Sequence, residues 1–178
     1  MRLTQLNEEK QKLALERLQA DRSDYEPFLS KESIDIHYGK LAKGYVDRFN
    51  AGEGDADFNR AGAFLHNIYF PQLKEPAGSN NPRGASLMLI NSKYSSYDKF
   101  KSEVTKVAMG IQGSGWVYMA RNGEIKTIKN HAMRSDIAML IDWWEHSWFT
   151  DYGSDKSKYL TNFWKAVDWE VVNQRILT

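Results

Sequence analysis

A proline-rich stretch, PQLKEPAGSNNPRG at residues 71–84, constrains the fold of this chain more than any other feature. It contains three of the four prolines, and proline interrupts both helices and strands. Helical spacing dominates before this stretch, whereas alternating segments appear after it. We therefore predict a linker at residues 73–84 between an N-terminal lobe (25–72) and a C-terminal lobe (85–178), with residues 1–24 as an N-terminal extension.

Helices are predicted throughout the part of the chain that precedes the linker. One runs over residues 34–49 and another over residues 58–70, where Gly62 and His66 share a stripe. The segment AGEGDAD separates them, so the two form a helical hairpin. Residues 3–20 are predicted to form a charged amphipathic helix in the extension. The first hairpin helix places four side chains on one face at i, i+4 spacing: His37, Leu41, Tyr45 and Phe49.

The C-terminal lobe mixes helices with a small sheet. A helix is predicted at residues 95–111, and Asn122-Gly123 between two alternating segments predicts a β-hairpin turn. A buried third strand follows at residues 137–144, and a helix at 159–176 ends the chain. The predicted fold is therefore α+β: an N-terminal helical hairpin packed on a C-terminal lobe with a three-stranded antiparallel sheet and helices.

Composition excludes several classes of function. The net charge of +1 gives no overall attraction to nucleic acid or to an anionic membrane, so neither is expected as a partner. No apolar segment is long enough for a membrane span, and the charged N-terminus lacks the apolar region of a signal peptide, so we expect a cytoplasmic protein. Cysteine is absent, which excludes disulfides and thiolate chemistry.

The segment DWWEHSWF, at residues 142–149, places Asp142 four residues before His146 among tryptophans. Aspartate is seldom fully buried without a partner, because burial of its charge is costly. A single histidine is more often structural than a ligand, but His37 and His66 also lie on inward, aromatic-rich helix faces. A divalent metal would satisfy three imidazoles and one carboxylate together. Zinc is possible, although such a set with room for another ligand also suits iron or manganese.

The same segment resembles the DVWEHAYY signature of the iron/manganese superoxide dismutases. Further stretches resemble motifs of that family in the same order: the first-ligand helix, the second-ligand helix, the GSGW strand and the closing helix. In this chain they read IDIHYGKLAKGYVDRFN, FNRAGAFLHNIYF, IQGSGWVYM and DYGSDKSKYLTNFWKAVDW. The resemblance extends over residues 25–176, which is nearly all of the chain beyond the extension.

The resemblance implies a superoxide dismutase that converts superoxide to O₂ and H₂O₂ by redox cycling of one iron or manganese per chain. It implies a solvent molecule as the fifth ligand and four protein ligands: His37, His66, Asp142 and His146. Iron is slightly favoured. Gly62 replaces the glutamine common in iron-type members, but a histidine at the position of His131 occurs among iron-using and metal-tolerant members.

Further residues receive roles from the same resemblance. Tyr45 matches the tyrosine that gates substrate access, and Trp116 and Trp144 match the aromatic wall of the site. His131 falls where the family places a side chain that hydrogen-bonds the coordinated solvent. Glu145 matches a glutamate that bonds the ligand histidine of the other subunit, which implies a homodimer joined through Glu145 and His146.

Two other functions remain open at this point. One is a structural or assembly subunit that keeps the metal site with little activity, with which the short hairpin, 29 residues from His37 to His66, is compatible. A mononuclear iron oxygenase would use two histidines and a carboxylate. That enzyme would require open coordination positions, and it would leave one of the histidines unexplained.

Overall fold

The helical hairpin is present in a computed structural model that describes residues 11–178. Its first arm is a helix without a break: α1 (Lys31–Ile36), a π-helical turn (His37–Ala42) and α2 (Lys43–Ala51). The second arm is α3 (Ala56–Tyr69), followed by a 3₁₀ turn at Phe70–Gln72. The predicted break between the arms is confirmed: Gly52 ends α2 with a φ of 72° and Asp55 caps α3.

The helix predicted for residues 3–20 is wrong where the structure describes that segment, because residues 11–20 form no helix. Residues 3–10 lie outside the described part of the chain. Two amides of the hairpin, Asn50 in α2 and Asn67 in α3, each bond to a backbone N–H and to a backbone carbonyl of the segment. These hydrogen bonds take the place of those that the backbone of the segment would form within a helix. They attach the segment to both arms of the hairpin, through the backbone of Leu13, Ala14 and Glu16.

Two helices precede the sheet. Helix α4 (Gly84–Tyr94), which the sequence did not predict, starts at the last residue of the predicted linker, and α5 (Tyr97–Met109) occupies most of the predicted 95–111 helix. Asn173 of the last helix accepts a bond from the N–H of Ser86, which holds the start of α4. Helix α4 therefore depends on a tertiary contact that cannot be predicted from the residues of the helix itself.

The sheet has three antiparallel strands in the order β2-β1-β3. They are β1 (Gly115–Ala120), β2 (Ile125–Lys129) and β3 (Ile137–Asp142). The predicted hairpin turn is confirmed, with Gly123 at a φ of 86° that a side chain would disfavour. The β1–β3 register pairs Trp116 with Asp142, so the strand end that carries the carboxylate lies beside an indole.

Three helices end the chain: α6 (Glu145–Tyr152), α7 (Lys156–Ala166) and α8 (Trp169–Leu177). The single helix predicted for residues 159–176 is wrong, because it breaks at Val167 and Asp168. Val167 forms an isolated bridge with Leu73, and the N–H of Asp168 donates to the carbonyl of Gln72 over 2.7 Å. The segment after α3 therefore forms hydrogen bonds with backbone groups at this break that a continuous helix would use.

The core is rich in aromatic side chains. Trp116, Trp143 and Trp169 are essentially without exposed surface, and full burial of a large apolar side chain stabilises a fold by about 1.5–3 kcal/mol. The observed α+β architecture confirms the predicted fold class. Across residues 11–178, no helix has the length and apolar character that a bilayer crossing requires.

Candidate metal centre

Four residues predicted as ligands come from four different elements and meet where the hairpin packs on the sheet. His37 begins the π-helical turn, His66 lies in α3, Asp142 ends β3 and His146 lies in the first turn of α6. Helical segments with π geometry are rare and often occur at functional sites. Residues separated by more than a hundred positions in sequence are thereby brought together.

The cluster converges on one oxygen atom, Oδ2 of Asp142. It lies 3.0 Å from Nε2 of His37, 3.2 Å from Nε2 of His146 and 3.4 Å from Nε2 of His66. One donor atom from each of the four residues lies within 4.8 Å of the others. The side chains of His37, His66 and Asp142 are fully buried, and His146 is partly buried. These atoms are close enough to share a single ion.

The hydrogen bonding of His66 fits a cation at this position. Its Nδ1 lies 2.6 Å from the carbonyl oxygen of Gly62, which can only accept, so Nδ1 carries the proton. In a neutral imidazole, Nε2 then presents a lone pair to Oδ2 of Asp142, and this buried Nε2 has no hydrogen-bond partner among the described residues. Two acceptors that face each other repel unless a cation lies between them. The residues present therefore fit a bound divalent metal.

Charge in the cluster is concentrated on the carboxylate. Burial by itself would raise the pKa of Asp142, but the charge of a protonated His146 and hydrogen bonds from His146 and His37 hold this pKa well below its usual range. Burial, reinforced by His146, lowers the pKa of His37 to about 3. Metals bind the anionic form of a carboxyl group and the neutral form of an imidazole, which are the forms that these shifts favour for Asp142 and His37.

A second set of contacts joins Tyr45, His131 and Trp116 beside the cluster. The indole N–H of Trp116 donates to Nδ1 of His131 over 3.2 Å and to the carbonyl of Asn130 over 3.0 Å. An indole can only donate, so Nδ1 of His131 accepts and Nε2 carries the proton. That Nε2–H donates to the hydroxyl of Tyr45 over 2.9 Å. The hydroxyl proton of Tyr45 is therefore free to be donated elsewhere.

Burial dominates the protonation of this network. It lowers the pKa of His131 to about 3, with a further contribution from His66. It also raises the pKa of Tyr45 to about 12, and the charge of Asp142 acts in the same direction. At neutral pH the imidazole of His131 is thus uncharged and the phenol of Tyr45 keeps its proton.

Aromatic rings enclose the site on several sides. The ring of Trp116 meets that of His66 edge-on at 5.1 Å, and the ring of Trp144 stacks on that of His131 at 4.4 Å. Trp144 also donates from its indole N–H to the carbonyl of Asn130 over 3.3 Å. The two tryptophans predicted as the wall therefore lie against the predicted ligand and the predicted hydrogen-bonding histidine.

Two neighbours of the site were missed in the sequence. Phe58 lies against His131, with ring centroids 4.8 Å apart, and its i, i+4 spacing with Gly62 and His66 was the available signal. The hydroxyl of Tyr159 donates to the backbone carbonyl of Asp142 over 2.9 Å. Tyr159 lies in the closing-helix motif, but nothing in that motif indicates this contact, which depends on how α7 packs behind β3.

Glu145 lies apart from this cluster. It is exposed at the start of α6, one residue before His146. Phe149 follows one helical turn later and is 57% exposed. In a single chain these two side chains face solvent rather than the four predicted ligands.

The fold and the donor set together are typical of a mononuclear metalloprotein, and comparison with known proteins specifies the family. A family model described as iron/manganese superoxide dismutases, C-terminal domain, matches residues 82–175. A superoxide dismutase [Mn/Fe] of Porphyromonas gingivalis is 32% identical over 176 residues, covering 84% of this chain and 91% of the relative.

Two archaeal relatives give similar matches. A superoxide dismutase [Fe] of Sulfolobus acidocaldarius is 31% identical over 184 residues, covering 85% of this chain and 87% of the relative. One of Pyrobaculum aerophilum is 29% identical over 180 residues, covering 85% of each. The chain belongs to the iron/manganese superoxide dismutase family.

Proposed function

We propose that this protein is a superoxide dismutase. The observation that carries the proposal is the convergence of three imidazole Nε2 atoms on Oδ2 of Asp142, at 3.0–3.4 Å, in a largely buried cluster. Membership of a family whose relatives are named superoxide dismutases supports the same reading. Each chain would hold one ion through His37, His66, Asp142 and His146.

The donor set suits the chemistry that this activity requires. When bound, iron or manganese supplies one-electron redox cycling, by which one superoxide is oxidised to O₂ and another is reduced to H₂O₂. The protein contributes three neutral imidazoles and one carboxylate, a set of modest net charge. Because these groups are buried, their orientation is fixed by the surrounding packing rather than by solvent.

Protons for the reduction of superoxide are held by Tyr45 and His131. Since His131 donates from Nε2 to the hydroxyl of Tyr45, that hydroxyl can donate its own proton into the pocket. The raised pKa of Tyr45, about 12, keeps the proton available at neutral pH. Trp116 fixes this direction of donation, because its indole N–H occupies Nδ1 of His131.

Exclusion of bulk water is the role proposed for the aromatic rings. Trp116 is fully buried against His66, and Trp144 covers His131. A pocket closed by rings strengthens the electrostatic contacts inside it and limits side reactions. Superoxide, a small anion, would enter beside Phe58 and Tyr45, whose rings meet at 5.9 Å.

Iron is proposed as the slightly preferred metal. The hydrogen bond to the family's solvent ligand would come from His131, because Gly62 has no side chain to supply it. The relatives are named with [Fe] or [Mn/Fe], which supports both metals as candidates. Loading the purified protein with each metal separately, and comparing activity per bound ion, distinguishes the two.

A homodimer through Glu145 and His146 is also proposed. Glu145 and Phe149 are exposed one helical turn apart on α6, next to the partly buried His146. Glu145 would accept a hydrogen bond from the partner's His146 and orient that imidazole. Sedimentation equilibrium at micromolar concentration should give twice the mass of the 20.6 kDa chain, and Glu145→Ala should shift the protein toward monomer.

The decisive test measures dismutation and bound metal in the same samples. We expect activity that rises with metal content and saturates near one ion per chain. Full occupancy without activity, with either metal, would contradict the enzyme and favour a structural or assembly subunit that has kept the site. A preparation that binds neither metal would contradict both functions.

A further inference from the structure

Arg175 in α8 places a cation among backbone carbonyls behind the metal centre. It is partly buried, and burial lowers its pKa to about 10. No carboxylate of residues 11–178 forms an ion pair with it. Its guanidinium instead donates to the carbonyl of Ile68 over 2.9 Å, and to the carbonyl of Ala138 and Oε1 of Gln72 over 3.3 Å each.

These acceptors belong to the two elements that carry His66 and Asp142. Ile68 lies two residues after His66, near the end of α3. Ala138 lies four residues before Asp142, in β3. The guanidinium is a rigid fork with five donors, so it holds its acceptors at fixed separations. One side chain therefore spans the helix of one predicted ligand and the strand of another.

Gln72 strengthens the connection between these elements. It is fully buried just after α3, and its amide pairs with Leu140: the N–H of Leu140 donates to Oε1 over 3.0 Å, and Nε2 donates to the carbonyl of Leu140. β3 is an outer strand of the sheet, so this amide takes the place of a neighbouring strand. Leu140 lies two residues before Asp142.

We propose that Arg175 is a positioning residue of the metal centre, which acts through Gln72 to fix the separation between the helix of His66 and the strand of Asp142. The proposal rests on the proposed binding of iron or manganese by these residues. It assigns Arg175 no contact with the metal or the substrate. Partners behind metal ligands commonly change metal affinity by about 10–100-fold when they are removed.

A purely structural role is the competing explanation, since Arg175 also attaches α8 to the core. Asn173 provides a matched control on the same helix. It is 7% exposed, accepts a bond from the N–H of Ser86 and donates to the carbonyl of Arg83, so it attaches α8 to α4 and to no ligand-bearing element. Loss of Asn173 should weaken the docking of α8 without altering the metal centre.

The experiment compares Arg175→Lys, Arg175→Met and Asn173→Ala in the full chain, each loaded with iron or manganese. Metal affinity is measured by competition with a chelator, and the environment of the ion by visible absorption of iron(III) and electron paramagnetic resonance of manganese(II). Thermal unfolding is recorded for the metal-free and loaded forms. None of these measurements depends on dismutation.

We expect Arg175→Met to lose about tenfold in metal affinity and to shift both spectra, with a smaller change for Arg175→Lys. Asn173→Ala should unfold at a lower temperature with unchanged spectra and affinity. If Arg175→Met does not fold, Arg175→Lys decides, because it retains the charge and a donor. Spectra and affinity like those of the unsubstituted protein, in variants that have lost stability, would overturn the positioning role.

The outcomes also separate this proposal from the proposed function. An unsubstituted protein that binds no metal would contradict both. One that binds metal without dismutation would contradict the enzymatic function alone, while its spectra would still decide the role of Arg175.

Discussion

A methyl group at Gly62 would lie 2.8 Å from ring carbons of Tyr45. No real Cβ approaches a ring so closely, so this glycine sets the position of Tyr45 and, through it, of His131. Gly62 lies inside α3, where alanine would otherwise favour the helix by roughly 1 kcal/mol. Helix propensity would therefore favour alanine at position 62, but the neighbouring ring of Tyr45 leaves room only for glycine.

Gly62→Ala should displace Tyr45 and lower dismutation per bound metal by about tenfold or more, since small misplacements near a reacting centre are costly. Metal content should be unchanged. Gly78→Ala is the matched control, because a Cβ at Gly78 meets no atom within 4 Å. Equal activity in the two variants would show that Tyr45 tolerates movement.

His131 should affect turnover more than metal retention. His131→Ala removes the donor to Tyr45 and should lower activity per bound ion, whereas His131→Gln restores an N–H donor and should recover part of it. Bound metal, counted in the same samples, should stay near that of the unsubstituted protein. Wholesale loss of metal from His131→Ala would instead make His131 a ligand.

Removal of metal should destabilise the protein, and His146→Ala should abolish that dependence. At a thousandfold excess over its dissociation constant, a ligand that binds only the folded state stabilises it by about 4 kcal/mol. In a protein of this size that corresponds to roughly 10 °C. A chelator should therefore lower the melting temperature of the unsubstituted protein and leave that of His146→Ala unchanged. A His146→Ala variant that keeps its metal would contradict the assignment.

Tyr159→Phe should cost more stability than Tyr69→Phe. Tyr159 donates to the carbonyl of Asp142, so its hydroxyl must accept the bond from Tyr69, 2.9 Å away. Tyr159→Phe leaves the buried carbonyl unsatisfied, at a cost of about 1–3 kcal/mol, whereas Tyr69→Phe leaves that bond intact. Urea unfolding of both variants and of the double variant tests this order. The double variant should be little less stable than Tyr159→Phe.

Stability should decline at alkaline pH because of buried tyrosines. Burial raises the pKa of Tyr152 to about 12 in the folded protein, although Asn162 opposes the shift. The stabilisation from this group is complete below the unfolded pKa of about 10 and is lost as pH rises toward 12. Tyrosinate absorbance should therefore appear late and coincide with unfolding, and Tyr152→Phe should reduce the pH dependence. Titration near pH 10 in a folded protein would contradict the prediction.

Elements with a regular hydrophobic pattern were predicted from the sequence. The hairpin helices, α5 and the turn at Gly123 each carry their own local signal, and the predicted ligands stand in motifs that meet in space. Helix α4 lacked such a signal because its apolar residues form no single stripe. Two of them, Leu87 and Met88, are exposed in the structure. Its start is held instead by Asn173, which is 87 positions away in sequence.

Distant partners also explain the two wrong helices. Residues 11–20 have a helical pattern, but amides of Asn50 and Asn67 take their backbone groups. The helix predicted for residues 159–176 breaks at Asp168, although no glycine or proline stands there, because the N–H of Asp168 donates to the carbonyl of Gln72. Local propensity predicts a backbone only where no remote side chain competes for its hydrogen bonds.

The arms and the tip of the hairpin differ in how they would accept a change of chain length. Each residue of an α-helix advances the chain by about 100° of rotation, so one deletion in α3 between Gly62 and His66 would carry one of these two residues off the face that meets Tyr45. The tip at residues 52–55 is exposed, and a Cβ at Gly52 would touch nothing within 4 Å. A foreign loop or an affinity epitope can therefore be grafted at the tip, whereas a single-residue deletion in α3 would separate Gly62 or His66 from Tyr45.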